Sequence, residues 1–190
     1  TEELPVYHPA DRTKDPEPFL VLGAGTRAAF TAKFTLGFAM PADFQTRQAE
    51  SMAHLPRPEV TFCFGLQDLD CPKVEDPATK KDVLVRPLKG HGLVFTEGAV
   101  ALVSFVEAER DQWGRKTRFE VKELARKALD LGADRLPVTV KVVGTQVTIE
   151  AGGRKAAFTL PAAVQGATGL RVSGPGYVAL SELRMAAVKN

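Results

Sequence analysis

Apolar and polar side chains alternate between residues 28 and 40, as they do in a β-strand with one buried face. Pro41 ends the alternation, because proline cannot donate a backbone hydrogen bond to a neighbouring strand. We therefore predict a half-buried strand that directs one set of side chains into a core. These side chains are Phe30, Ala32, Phe34, Leu36 and Phe38.

The same alternation recurs in short segments between residues 136 and 160. Gly144-Thr145 and Gly152-Gly153 separate these segments, and tight turns favour glycine. The pattern predicts an antiparallel meander, followed by further strands over residues 169–172 and 178–185. The side chains predicted to face inward are Val138, Val140, Val142, Val147, Ile149, Ala156, Phe158 and Leu160.

Shorter apolar runs occupy the middle of the chain, over residues 60–65, 83–85, 92–96 and 99–108. Together with the other segments they predict roughly ten short strands. The exception is a helix predicted over residues 118–131. Thr117 and Glu120 have capping-box spacing, and Gly132 is placed to end the helix. The apolar positions with helical spacing are Val121, Leu124, Ala125, Ala128 and Leu129. The expected fold is thus all-β, an antiparallel two-sheet sandwich with one amphipathic helix.

The chain has 190 residues, and 44% of them are hydrophobic. A single core of this size buries about 70% of the surface of the unfolded chain, so we expect one domain over residues 21–190. Residues 1–20 contain Pro5, Pro9, Pro16 and Pro18 among charged side chains. This composition predicts an extended arm.

The net charge of +2 is too small to recruit nucleic acid or an anionic membrane by itself. No apolar run has the roughly 20 residues needed to cross a bilayer, and the first residues lack a signal-peptide pattern. We expect neither a nucleic-acid partner nor a membrane span. Because the sequence begins at Thr1 without Met, a processed form or an excised domain is also expected. The oligomeric state stays open.

Cys63 and Cys71 lie close together in the sequence. They can close a disulfide in an oxidising compartment, which would favour a periplasmic or secreted location. Alternatively, Cys63 is a small core residue and Cys71 lies in a turn before Pro72. No Cys-x-x-Cys pair occurs, so zinc is not expected.

Residues 138–185 resemble the C-terminal half of concanavalin A-like jelly rolls, a group that includes laminin-G-like domains and 3-keto-disaccharide hydrolases. The segments that carry the resemblance are 138–143, 147–150, 156–160, 166–172 and 178–184. It implies a jelly-roll sandwich whose last strand pairs near the start of the domain. Lectins, glycanases, adhesion modules and structural domains share this fold, so the resemblance implies no single function.

Trp113 is the only tryptophan, and it lies in a polar loop beside Arg115. An exposed indole next to hydrogen-bonding groups is suited to stacking on a sugar ring. We therefore predict Trp113 and Arg115 as ligand contacts. The alternative is that the indole packs onto the edge of the sandwich.

Four other side chains are predicted to contact a ligand. Asp68 and Asp70 share one face of an extended segment, where they could act as an acid–base pair or bind calcium. His91 stands between glycines that let a ligand approach the backbone, and Tyr177 follows a Gly-Pro-Gly turn. The alternatives are a polar turn for the aspartates, a turn histidine, and an aromatic that caps the sheet edge.

These observations favour a non-catalytic module that binds a carbohydrate or another extracellular surface through the sandwich loops. No catalytic residue is assigned, and calcium is the one cofactor considered. A second hypothesis is a carbohydrate-active hydrolase or lyase resembling the 3-keto-disaccharide hydrolases, with Asp68, Asp70 and His91 as its acid–base groups. A third is a structural or protein-interaction domain of a larger assembly.

Overall fold

The structure is a computed structural model, and it describes residues 19–39, 58–67, 74–75, 82–83, 89–110, 116–132, 135–173 and 177–188. All regular elements within these ranges are strands. Their bounds are β1 Phe19–Arg27, β2 Ala29–Ala39, β3 Glu59–Gln67, β4 Val74–Glu75, β5 Asp82–Val83, β6 Lys89–Thr96, β7 Ala99–Arg110, β8 Lys116–Ala128, β9 Leu136–Val143, β10 Gln146–Ala151, β11 Arg154–Thr159, β12 Gly166–Ser173 and β13 Tyr177–Ala187.

The strands form two main antiparallel sheets. The six-stranded sheet has the order β1-β12-β3-β6-β7-β8, and the five-stranded sheet has the order β11-β10-β9-β2-β13. Strands β4 and β5 make a separate two-stranded ribbon. β1 begins at Phe19, inside the range predicted for the arm, and residues 1–18 lie outside the described part. No helix with the length and apolar character of a membrane span is found in the described residues.

The core lies between the two main sheets. Every apolar side chain predicted to face inward from β2 is buried, and so is every one predicted from β9, β10 and β11. Phe34 of β2 stacks on Phe62 of β3 and contacts Phe95 of β6 edge-on. The ring centroids are 5.9 Å apart in both pairs. These aromatic contacts join the two sheets, and each adds stabilisation of about 0.5–1.5 kcal/mol beyond simple burial.

The predicted helix over residues 118–131 is wrong. Residues 116–128 form strand β8, which pairs with β7 from Ala99↔Ala128 to Arg110↔Lys116. Val121 and Leu124, which the helix would have turned toward the core, are 44% and 37% exposed. The helix-favouring local composition is overridden because the long apolar strand β7 gains a hydrogen-bonded partner.

The six-stranded sheet also buries part of its other face. A second apolar cluster lies there, separate from the main core, and consists of Cys63, Leu66, Val103, Phe105 and Ala167. Gly92 belongs to this face, because a Cβ atom at that position would lie 2.7 Å from the methyl group of Thr61. These positions therefore give the sheet a buried apolar surface on both sides.

Strand β13 contains a bulge between Ser181 and Arg184. Glu182 at the bulge has φ 57, a left-handed conformation that costs a non-glycine residue about 1–2 kcal/mol. The extra residue changes the alternation, so that Leu180 and Leu183 both pack against the core. Arg184 consequently lies on the outer face, opposite Lys33 of β2.

Candidate functional site

Most of the residues predicted to bind a ligand lie outside the described part of the chain. These are Asp68, Asp70, Trp113 and Arg115. Tyr177 begins β13, where its backbone pairs with Ala39 of β2. The assignment of these residues to a ligand or to calcium stays a prediction, and His91 is the one whose surroundings the structure describes.

His91 lies in strand β6, not in a turn. Its backbone pairs with Phe64 of β3 on one side and with Ser104 of β7 on the other. The imidazole stacks on the Phe64 ring, with 6.0 Å between ring centroids and 29° between the planes. Two and four positions further along β6, Leu93 and Phe95 are fully buried in the core. His91 therefore continues the inward face of β6 to the end of the sandwich.

An open groove of about 250 Å³ lies at this end of the sandwich. β3 contributes Gly65 and Gln67, and β6 contributes Lys89, Gly90 and His91. The opposite wall is residues 161–164, a short connection from β11 to β12 that places Pro161, Ala162, Ala163 and Val164 along the groove. The groove thus has one polar wall and one wall of small apolar side chains.

Glycines allow the backbones around the groove to approach one another closely. Gly65 has φ 62 and lies at a bulge in β3, where a Cβ would stand 2.9 Å from Cβ of Val164. A Cβ on Gly166 would lie 2.5 Å from the carbonyl oxygen of Leu66. The start of β12 therefore packs directly on the backbone of β3, and this contact brings the 161–164 wall over the end of β6.

The connection between β11 and β12 is attached at several points. The Leu160 amide donates to the carbonyl of Thr145 at 2.8 Å. Nε2 of Gln67 donates to the carbonyl of Gln165 at 3.4 Å, and Val164 packs partly against the core. The apolar wall is therefore held on both sides of the groove, so the groove is largely formed before any ligand binds.

The polar wall combines an exposed cation with a neutral, largely buried imidazole. Lys89 is exposed and presents an ammonium group. Burial lowers the pKa of His91, and the backbone of Val103 offsets part of this effect. The imidazole is therefore neutral at pH 7, and it makes a hydrogen bond with the backbone of Val103. Its Nδ1 is buried and has no hydrogen-bond partner among the described residues.

Cys63 is a free thiol in the structure, fully buried in the second apolar cluster. Its Sγ donates to the carbonyl of Thr61 at 3.7 Å. Burial raises the pKa of the thiol to about 12, and the nearby Arg171 opposes this effect. Cys63 thus lies as a small buried side chain within that cluster. Cys71 lies outside the described residues, so the proposed pairing itself stays a prediction.

Gln67, Lys89 and the 161–164 wall were not predicted as part of a site. For Lys89 a signal existed, because the alternation Leu93, Phe95 extends backward through His91 to Lys89. For Gln67 and the wall no local signal existed. Their position depends on the pairing of β3 with β6 and on the packing of Gly166, which connect residues far apart in the chain.

No family model and no curated protein sequence matches the chain. Solved structures do match. The carbohydrate-binding module CBM66 from Bacillus subtilis has a TM-score of 0.54 and 11% identity, over 92% of this chain and 84% of its own. A protein of unknown function with a galectin-like fold, also from Bacillus subtilis, has a TM-score of 0.55 and 10% identity. The match covers 91% of this chain and 79% of that protein's chain. Sheep galectin-11 in complex with glycerol has a TM-score of 0.50 and 10% identity. The match covers 92% of this chain and 100% of the galectin chain.

These likenesses show the fold. The chain has a concanavalin A-like jelly-roll sandwich fold, as the resemblance of residues 138–185 implied. The connectivity agrees, because the last strand, β13, pairs with β2 near the start of the described chain.

Proposed function

We propose that this protein is a non-catalytic carbohydrate-binding module that holds its ligand in the groove beside His91. The observation that carries the proposal is the chemical contrast between the two walls of a largely preformed groove. A sugar ring presents hydroxyl groups at its rim and C–H groups on its faces. The amide of Gln67 and the ammonium of Lys89 can bond the hydroxyls, while Pro161, Ala162 and Ala163 can contact the C–H groups.

The structural neighbours support the same proposal. One is named as a carbohydrate-binding module, and another is a galectin in complex with glycerol, a small polyol. The jelly-roll fold alone is compatible with many functions. The groove adds to the fold a site whose size and polar groups suit one or two sugar rings.

The test is a binding measurement on variants of the polar wall. Titration calorimetry against a panel of neutral oligosaccharides identifies a ligand for the wild-type chain. Gln67→Ala and Lys89→Ala should then each weaken binding about fivefold, since a lost hydrogen bond to a ligand costs about 1 kcal/mol. Matched controls are Gln146→Ala and Lys122→Ala, which remove the same side chains from exposed strand positions away from the groove.

Two outcomes would overturn the proposal. One is unchanged affinity of the groove variants when their thermal unfolding matches the wild type. The other is the release of new reducing ends from the bound oligosaccharide, which would make the protein an enzyme.

A further inference from the structure

The outer face of the five-stranded sheet, away from the groove, carries a cluster of cations. Lys33 of β2, Lys141 of β9 and Arg184 of β13 are all exposed, and we call these three residues the cationic face. They lie on adjacent strands, with β2 in the middle between β9 and β13.

The register places these cations next to one another. Arg184 is directly opposite Lys33, so their Cβ atoms are about 4.5–5.5 Å apart. Lys33 pairs with Thr139 and Thr31 pairs with Lys141, so Lys141 is diagonal to Lys33 at about 7–8 Å. Like charges opposite each other destabilise a sheet. The arrangement is therefore unfavourable in the protein alone and becomes favourable when an anion binds.

The carboxylates of this face do not neutralise the three cations. Glu150 pairs with Lys155 at 2.5 Å. Glu182 accepts a hydrogen bond from Thr35 at 3.4 Å, two positions along β2 from Lys33. In the described part of the chain no ion pair joins either carboxylate to a member of the cationic face. The face therefore presents an excess of positive charge.

Threonine hydroxyl groups lie between the cations. Thr139 is opposite Lys33, and both Thr31 and Thr148 are opposite Lys141. Each hydroxyl can donate and accept a hydrogen bond. Cations interleaved with hydroxyls on a sheet face match a ligand that carries both carboxylates and hydroxyls along an extended chain.

We propose that the cationic face binds an acidic polysaccharide, a chain of uronic acid residues that crosses β13, β2 and β9. The choice of a glycan rests on the proposed function. It is also favoured over single-stranded nucleic acid, whose bases stack on aromatic side chains. The described side chains of this face include threonines, small residues and charged residues, with Pro137, Val143 and Gln146, and none of them is aromatic. The face is a second site, distinct from the groove, and its specificity is for charge.

The experiment compares polygalacturonate with the same polymer after full methyl esterification, which removes its charge and keeps its backbone. The affinity of the wild-type protein for polygalacturonate should be higher at 0.1 M salt than at 1 M, by about tenfold or more. The reason is that the electrostatic screening length falls from about 10 Å to about 3 Å between these salt concentrations. The triple variant Lys33→Gln/Lys141→Gln/Arg184→Gln should lose about tenfold or more of its affinity at 0.1 M salt. Its unfolding midpoint should equal or exceed that of the wild type, since a like-charge pair is removed.

The matched control is Lys122→Gln/Arg126→Gln/Lys127→Gln on β8, which removes the same charge from the other sheet. Equal loss of binding in both triple variants would overturn the proposal, as would equal affinity for the esterified polymer. Equal affinity for duplex DNA or for phosphatidylglycerol vesicles would also overturn it, because the face would then bind anions in general and not an acidic polysaccharide. The groove variants Gln67→Ala and Lys89→Ala distinguish the two sites, because they should weaken the binding of neutral sugars and leave the binding of polygalacturonate unchanged. If neutral sugars bind in the groove and polygalacturonate does not bind, this inference fails while the proposed function stands.

Discussion

Gly166 shows how one side chain can decide the geometry of the groove. Its missing Cβ leaves room for the carbonyl oxygen of Leu66, which would otherwise be 2.5 Å away. A backbone cannot yield as the tip of a flexible side chain can. The close approach of β12 to β3, and with it the position of the apolar wall, therefore depends on this glycine.

We predict that Gly166→Ala destabilises the protein by about 2 kcal/mol, in the range typical of overpacked sites. Urea unfolding measures the change. Gly98→Ala is the control, because no atom beyond its own chain neighbours lies within 4 Å of the added methyl group. If both substitutions changed the free energy of unfolding equally, close packing at Gly166 would not be the cause.

A second prediction concerns His91 and pH. The pKa of the folded-state imidazole is lowered, mainly by burial, so folding disfavours the proton that the unfolded chain binds near pH 6.5. The stability that neutral His91 contributes is complete above about pH 6.5 and decreases as the pH falls through the folded-state pKa. The free energy of unfolding should therefore fall more between about pH 7.5 and 5 in the wild type than in His91→Gln. Identical pH profiles, or an NMR titration of His91 above 6.5, would contradict the prediction.

The bulge in β13 keeps the apolar side chains on both sides of it directed toward the core. Without the extra residue at Glu182, the alternation after Ser181 would turn Leu183 outward and Arg184 inward. The left-handed conformation of Glu182 is the local cost of that correction. It also places Arg184 on the cationic face.

We predict that Glu182→Gly raises the free energy of unfolding by about 0.5–1 kcal/mol, because glycine adopts positive φ without steric cost. Glu150→Gly on β10 is the matched control and should lower it by about 0.5–1 kcal/mol, as glycine does inside a regular strand. Chemical denaturation of the two variants gives both values. A loss of stability in Glu182→Gly would show that its hydrogen bond with Thr35 outweighs the strain.

The elements differ in how far the sequence predicts them. Strand β2 and the β9–β11 meander were predicted with the correct inward side chains, because alternation is a local property of each strand. Strand β8 was predicted as a helix because capping-box spacing and helical apolar spacing are local signals, whereas its partner β7 is known only from the fold. Of the candidate site, His91 was predicted, but its neighbours come from distant segments and could not be.

Strands from the beginning of the described chain pair with strands from its end in both main sheets. β2 lies between β9 and β13, and β1 pairs with β12. β13 also covers one side of the core, with Val178 buried and Leu180, Leu183 and Met185 packed against it. Neither sheet is complete until both ends of the described chain are in place.

We therefore predict that deletion of residues 177–190 abolishes cooperative unfolding, because β2 loses a partner along its length and the core is opened. Circular dichroism during thermal denaturation measures this. A synthetic peptide of residues 177–190 added to the truncated chain should restore a cooperative transition by adding the missing strand. A truncated chain that melts cooperatively by itself would refute the prediction.

The pairing of early with late strands also has a consequence for biosynthesis. A ribosome delivers the chain from its N-terminus, so β1 and β2 emerge long before the strands with which they pair. During that interval the phenylalanines of β2 have no opposing sheet. We expect the nascent chain to depend on holding chaperones until β13 has left the exit tunnel, because the sandwich cannot close before then.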